Sequence, residues 1–248
     1  VLHADDAMTA DHRIAHVEIA KDADIVVVAP ATANTIARLA HGQADDLGAA
    51  VVLITDAPVM IAPAMESDMY AHSATQANLK VLRERKVRIV EPATGRLASG
   101  AYGQGRLPTT PELMDVIREV LGRDGPLNGC VLVVSAGGTR EYLDPVRFIG
   151  NPASGRQGVE LARASIERGA ATRLVLGPAT IDPPINAETT HVSSASEMLD
   201  ALRQATCGCD ALIMNAAVGD YRPVATSKSK LKRDDMNTRI EVVENPDL

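Results

Sequence analysis

The residues in this chain that can do chemistry sit in short polar segments, most of them directly after runs of β-branched residues. His16 precedes the apolar run 25–29, where an imidazole can act as an acid or base near neutral pH or pack as a core side chain. Pro30-Ala31-Thr32-Ala33-Asn34-Thr35 follows that run. Its small residues allow close backbone approach to a ligand and Asn34 adds a side-chain amide, yet the same spacing is that of an ordinary capped helix start. Gly137 and Gly138 form a loop on which a phosphate can rest, and Ser154-Gly155 opens a helical stretch whose first N–H groups are free for an anion. Asn151, just upstream, also reads as a helix cap, and Lys230 and Lys232 fall in the polar run 226–235, where solvated charge is the plain reading.

Such loops need strands to present them. Apolar runs at 25–29, 59–62, 87–90, 130–135, 172–176 and 211–215 alternate with helical stretches ending near His41 and spanning 73–85, 154–168 and 196–205. This alternation predicts parallel sheets, in which ligands settle outside the carboxyl ends of the strands. Thr110-Pro111-Glu112 starts a further helix with a cap and a proline in its first turn. Segment 95–108 holds four glycines and no apolar period, which predicts a mobile loop, and 226–235 is expected to be a flexible loop. Asp182-Pro183-Pro184 is a turn, and nothing repeats beyond the strand-helix alternation. Asp124-Gly125-Pro126-Leu127-Asn128-Gly129 marks a boundary between domains at 1–124 and 127–248.

Composition agrees. The 248 residues are 46% hydrophobic but 2% aromatic, so the cores must be built from Ala, Val, Leu and Ile, which suits buried parallel strands. A net charge of -7 argues against nucleic-acid or anionic-membrane surfaces, which need clustered cations. Cys130, Cys207 and Cys209 form no C-x2-C pair and predict reduced, structural thiols. The first residues lack the pattern of a signal peptide and no apolar run approaches the roughly 18 residues of a membrane span, so a cytoplasmic protein is expected. Both termini read as cut points.

Taken in order, several segments carry a family resemblance. His16-Val17-Glu18, Ala23-Asp24, Pro30-Ala31-Thr32-Ala33-Asn34-Thr35, Pro63-Ala64-Met65 and Met69-Tyr70 resemble the flavin-dependent cysteine decarboxylases, in particular those acting on phosphopantothenoylcysteine. Ser135-Ala136-Gly137-Gly138-Thr139-Arg140-Glu141 begins a longer series: Leu143-Asp144-Pro145-Val146-Arg147-Phe148-Ile149, Asn151, Ser154-Gly155, Ala216-Ala217-Val218, Asp220-Tyr221-Arg222, Lys230-Leu231-Lys232 and Asn245-Pro246-Asp247. That series is similar to phosphopantothenate-cysteine ligases. The pair resembles the bifunctional bacterial coenzyme A biosynthesis family, with a flavodoxin-like flavoprotein domain followed by a Rossmann-like ligase domain. A rival from another class is a flavoprotein of this fold acting as a binding or regulatory subunit. A dehydrogenase is disfavoured because no G-x-G-x-x-G follows a strand with an acidic residue about 20 positions on.

The resemblance implies FMN in the first domain, and CTP with Mg2+ in the second. His16 would serve the oxidation and decarboxylation stage. Pro30, Thr32 and Asn34 would line the flavin, and Asn34, Met65 and Glu66 the substrate. Ser99 stands where the family's flap cysteine donates a proton, and Glu66 where an asparagine receives the substrate carboxylate. In the ligase, CTP would activate the carboxylate of 4'-phosphopantothenate as an acyl-cytidylate for attack by the amine of cysteine. Asn151 would donate to that intermediate and Lys230 offset phosphate charge. Gly137, Gly138, Ser154, Gly155, Ala216 and Ala217 would hold the nucleotide, and Asp220 the metal. Small molecules are the expected partners, and a homo-oligomer the expected state.

Overall fold

A computed structural model describes residues 15–231 and 239–248, so Lys232 lies outside the described residues. The chain divides into two compact units, Val1–Leu121 and Gly122–Leu248. The second unit begins at Gly122, two residues before the segment 124–129 that marks the boundary in the sequence. A Cβ on Gly122 would sit 2.2 Å from the carbonyl oxygen of Glu167, and one on Gly125 2.5 Å from that of Arg168, so both glycines belong to a backbone-on-backbone contact.

In the first unit the elements run α1 (Ala15–Asp22), β1 (Val26–Ala31), α2 (Ala33–His41), α3 (Leu47–Ile54), β2 (Val59–Pro63), α4 (Ser67–Ala71), α5 (Ser73–Glu84), β3 (Arg88–Ile89), β4 (Ala93–Arg96), β5 (Tyr102–Arg106) and α6 (Thr110–Gly122). β1, β2 and β3 form a parallel sheet with Val26 opposite Val59 and Met60 opposite Arg88. β2 is apolar on both faces because both are covered. Ile61 packs with Ile36, Leu39, Leu79 and Leu82 of α2 and α5, while Met60 and Ala62 pack with Val116 and Val120 of α6. Thr32 starts α2 by accepting the N–H of Thr35 at 3.2 Å, and Gly42, at φ 67°, ends it. α3 is apolar throughout, and its N-cap Asp46, which accepts the N–H of Ala49 at 2.7 Å, fixes it as a helix.

Segment 95–108 is not the loop its composition predicts. β4 and β5 pair there as an antiparallel hairpin, with Arg96 opposite Tyr102. A Cβ on Gly103 would lie 2.2 Å from the Ser67 hydroxyl and one on Gly105 2.0 Å from the Met65 carbonyl, so these glycines mark close packing, not mobility.

The second unit runs β6 (Val131–Ala136), β7 (Arg140–Tyr142), β8 (Phe148–Gly150), α7 (Arg156–Ile166), β9 (Ala171–Leu176), β10 (Glu188–His191), α8 (Ala195–Ala205), β11 (Ala211–Met214), β12 (Tyr221–Pro223) and β13 (Val242–Glu244). Its parallel sheet has the order β10-β9-β6-β11. One face carries Val134, Ala136, Leu174 and Leu176 against Val159 and Ala162 of α7, and the other carries Val133 and Val175 against Met198 and Leu202 of α8. The chain moves outward from β6 to β9 and β10, then returns to place β11 on the far side of β6. The order therefore reverses between β6 and β11, and the crevice at their carboxyl ends is where a ligand of such a sheet binds.

The stretch 226–231 is also not free. The Thr226 hydroxyl donates to the Tyr142 carbonyl at 2.9 Å, the Ser227 N–H to Leu143 at 2.9 Å, and the Leu231 N–H to the Asp144 carboxylate at 3.2 Å. Among the described residues no helix is long and apolar enough to cross a membrane, and Cys130, Cys207 and Cys209 are free thiols.

Candidate functional site

The candidate site of the first unit is assembled by three backbone segments. The Ala64 N–H donates to the Ala31 carbonyl at 3.1 Å, joining the loops that leave β1 and β2, and the Met65 N–H donates to the Gly105 carbonyl at 3.0 Å, joining the second loop to the hairpin. Pro30 and Thr32 are exposed at the end of β1, and the bond before Pro30 is cis. Asn34 is exposed in the first turn of α2, next to N–H groups that have no intrahelical partner. That turn suits a phosphate, because the helix start carries partial positive charge and the Thr32 hydroxyl.

Glu66 and Ser99, 33 positions apart, are brought together. One Glu66 carboxylate oxygen accepts the Ser99 hydroxyl at 2.8 Å and the other accepts the Ser99 N–H at 3.2 Å. The Ser67 hydroxyl adds a bond to the Gln104 carbonyl at 2.7 Å, so residues 65–67 hold the hairpin at several points. Below them Tyr70 anchors α4. Its buried phenol donates to the Glu91 carboxylate, and burial followed by that carboxylate pushes its pKa up to about 12, so it stays protonated at neutral pH.

His16 lies in the first turn of α1, half-buried. A three-residue connection leads from Asp22 to Val26 at the start of β1. Among the described residues no hydrogen bond joins His16 to Asn34, Met65, Glu66 or Ser99. A recess of about 480 Å3 lies elsewhere, at the amino ends of β2 and β3 beside Leu53, Arg85 and Lys86, and holds none of the predicted residues.

In the second unit the loops meet at the crevice between β6 and β11. Gly138 forms a parallel bridge with Ala217, the Ala217 N–H donates to Gly137 at 2.8 Å, and the Gly219 N–H donates to the buried Thr139 hydroxyl at 2.9 Å. Asn151 uses one amide hydrogen on the Val218 carbonyl at 3.2 Å, which leaves the second for a ligand. On one side of this contact a cleft of about 480 Å3 is lined by Gly138, Asn151, Ser154 and Thr180. On the other a cleft of about 490 Å3 is lined by Ala216, Asp220, Glu244 and Asp247. Asn245 closes the second, its amide donating to Gly219 at 2.7 Å.

The glycines divide by task. Gly137, at φ 80°, lies 2.6 Å (measured from an added Cβ) from the Gly177 carbonyl, and Gly155, at φ 72°, packs on Gly137, so both serve loop stacking. A Cβ on Gly138 would instead meet Asn151 and Ala153 at the cleft rim. At the start of α7 the Arg156 N–H is already taken by the Ser154 hydroxyl at 3.3 Å, so not every first-turn donor is open to an anion.

Lys230 is exposed within the strap formed by residues 226–231 and lines neither cleft. Among the described residues no three His, Cys, Asp or Glu side chains gather to hold a metal ion. An ion at Asp220 would take most of its oxygens from a bound ligand, as Mg2+ at nucleotide phosphates does. Sequence reasoning assigned no role to Asp144, whose fully buried carboxylate accepts the N–H groups of Val146 and Arg147, both at 2.8 Å. It also missed Glu141, which caps α8 by accepting the Ala195 N–H at 2.9 Å. Asp144-Pro145 as a turn was the one available signal.

Two families match the chain in tandem. Residues 3–122 match Flavoprotein, and residues 127–248 match the DNA/pantothenate metabolism flavoprotein C-terminal domain. Curated relatives include the coenzyme A biosynthesis bifunctional protein CoaBC of Mycobacterium tuberculosis, 44% identical over 241 residues, covering 95% of this chain and 58% of the relative. That of Vibrio parahaemolyticus is 42% identical over 241 residues, covering 96% and 60%. The chain thus spans less than two thirds of these relatives. Solved structures that resemble it include a PPC decarboxylase mutant complexed with pantothenoylaminoethenethiol, at 29% identity and TM-score 0.46, covering 47% of this chain and 68% of that one. The C-terminal domain of a CoaBC protein resembles it at 37% identity and TM-score 0.42, covering 48% and 56%.

Proposed function

We propose that this chain contributes to coenzyme A biosynthesis, carrying part of an FMN-dependent phosphopantothenoylcysteine decarboxylase in residues 1–124 and part of a CTP-dependent phosphopantothenate-cysteine ligase in residues 127–248. The observation that carries the proposal is one of extent: identity of 37–44% to CoaBC proteins runs over 239 to 241 residues, through both units and both strand-end sites.

In the ligase reading, CTP and the carboxylate of 4'-phosphopantothenate give an acyl-cytidylate and pyrophosphate, and the amine of cysteine then displaces CMP. Asn151 donates its free amide hydrogen to the acyl-cytidylate. Gly138, Ser154 and Ala216 face the nucleotide, with Gly137, Gly155 and Ala217 supporting them from behind. Lys230 offsets phosphate charge and Asp220 contributes to Mg2+. In the decarboxylase reading, FMN when bound supplies the two-electron acceptor that makes the cysteine carboxylate a leaving group. Pro30, Thr32 and Asn34 seat that cofactor, His16 moves the proton at oxidation, and Met65 contacts the substrate.

One observation favours a second reading for the first unit. The Ser99 hydroxyl is committed to Glu66 at 2.8 Å, which leaves both residues less available to substrate than the family's cysteine and asparagine would be. A unit so arranged binds flavin and ligand but does not complete the turnover. Incubating the full-length protein with synthetic phosphopantothenoylcysteine and following CO2 and the flavin spectrum separates the two. CO2 at many turnovers supports decarboxylation, whereas a flavin spectrum that the substrate perturbs without bleaching, and no CO2, supports the binding subunit.

A further inference from the structure

We infer that Asp144 is a positioning residue that sets the place of Lys230 by bracketing the backbone of its neighbour Leu231. The inference rests on the ligase reading and adds a residue to it. Asp144 Oδ1 closes its own turn by accepting the N–H groups of Val146 and Arg147 at 2.8 Å. Its Oδ2 has a different employment: it accepts the Leu231 N–H at 3.2 Å, across 87 positions, and faces Arg147 Nε at 3.7 Å. The Arg147 guanidinium in turn donates to the Leu231 carbonyl at 2.5 Å. Both peptide groups of Leu231 are therefore held by one turn. The other end of the strap is held by the same turn, through Thr226 on Tyr142 and Ser227 on Leu143, each at 2.9 Å. Between these anchors the side chains of Lys228 and Lys230 are exposed.

A lysine on a free loop pays much of its side-chain and backbone entropy each time it meets a phosphate; one fixed through its neighbour's peptide groups has that ordering already in place. A carboxylate needed only for the hairpin would require Oδ1 alone. Although burial pushes the Asp144 pKa up, the N–H groups of Val146, Arg147 and Leu231 and the Arg147 charge bring it below the usual carboxylate range, so the bracket is anionic at neutral pH.

Asp144→Asn in the full-length protein separates the two tasks, because the amide oxygen can still serve Val146 and Arg147 while its NH2 faces the Leu231 N–H. Pyrophosphate release should fall about tenfold to a hundredfold in kcat, the scale of one charge-assisted phosphate contact, with KM for CTP within about twofold. Lys230→Gln should fall comparably, and the double variant no further than the worse single. Amide exchange should quicken at Leu231 and stay slow at Val146 and Arg147. Wild-type kcat in Asp144→Asn, or losses that multiply in the double variant, overturn the inference. Wild-type kcat in Lys230→Gln instead overturns the ligase role of that lysine. If Asp144→Asn opens the hairpin, Thr226→Val decides: it removes one of the two bonds of the far anchor and leaves the hairpin's own bonds alone, and a fall in kcat of about twofold to fivefold supports the bracket, while no change refutes it.

Discussion

Removing the Ser99 hydroxyl should loosen the β4–β5 hairpin by an amount that its contacts set. The hydroxyl lies 2.8 Å from one Glu66 oxygen and the Ser99 N–H 3.2 Å from the other. A hydrogen bond to a charged group is worth about 1.5–3 kcal/mol when shielded, and Ser99 is exposed, so screening brings each contact down to roughly 0.5–1 kcal/mol. Ser99→Ala should raise the population of open hairpin about twofold to fivefold, and Glu66→Ala, which removes both contacts, about fivefold to thirtyfold. Trypsin reads this directly, because Arg96 lies within β4, paired with Tyr102, and is cut only when the hairpin opens. Mass spectrometry of the first cleavage after Arg96, at low protease, gives the ratio for each variant. The double variant should exceed Glu66→Ala by no more than the weak local bond that the Ser99 hydroxyl accepts from the Ala101 N–H at 3.3 Å, since the serine has no carboxylate left to meet. Equal rates for Ser99→Ala and wild type, or a double variant whose rate is the product of the singles, would refute the coupling.

Gly105→Ala should open the same hairpin further, because its Cβ would sit 2.0 Å from the Met65 carbonyl oxygen; overpacking of about 1–3 kcal/mol implies cleavage after Arg96 faster by roughly fivefold to 150-fold. Thr32→Ala should cost about 0.5–2 kcal/mol at the start of α2, seen as faster amide exchange at Thr35 and restored by Thr32→Asn. The depressed Asp144 pKa fixes the sign of a pH effect: its stabilisation is present above the ordinary carboxylate value near ~3.9 and is lost as pH falls through the lower folded value. Exchange protection of the Leu231 amide should therefore persist as pH drops through 4 in the wild type and collapse only below, whereas Asp144→Asn should lack it throughout.

What was legible in the sequence follows from which forces are local. β2 announced itself because Met60, Ile61 and Ala62 are buried between two helical layers, with Val59 partly buried beside them, and α2 because Thr32 and Gly42 sit at its ends. The hairpin was hidden because Gly103 and Gly105 answer to Ser67 and Met65, a tertiary contact that no periodicity carries. β10 is polar, Glu188-Thr189-Thr190-His191, and takes its place by pairing with β9 at the sheet edge, not by alternation. At the sites, Gly138, Asn151 and Ser154 could be named from their loops, and they share one cleft. The links from Glu66 to Ser99 and from Asp144 to Leu231 could not, since each joins segments that only the fold brings together.

The most direct test of the two-activity account is a stoichiometric one on the full-length protein, given 4'-phosphopantothenate, cysteine and CTP with Mg2+. Pyrophosphate and CO2 are followed in the same vessel, with and without cysteine. The account predicts one pyrophosphate per CO2 at steady state. Without cysteine it predicts a pyrophosphate burst of about one per active site and no CO2. CO2 absent while pyrophosphate accumulates would remove the decarboxylase half, and no CTP-dependent pyrophosphate at all would contradict the central claim.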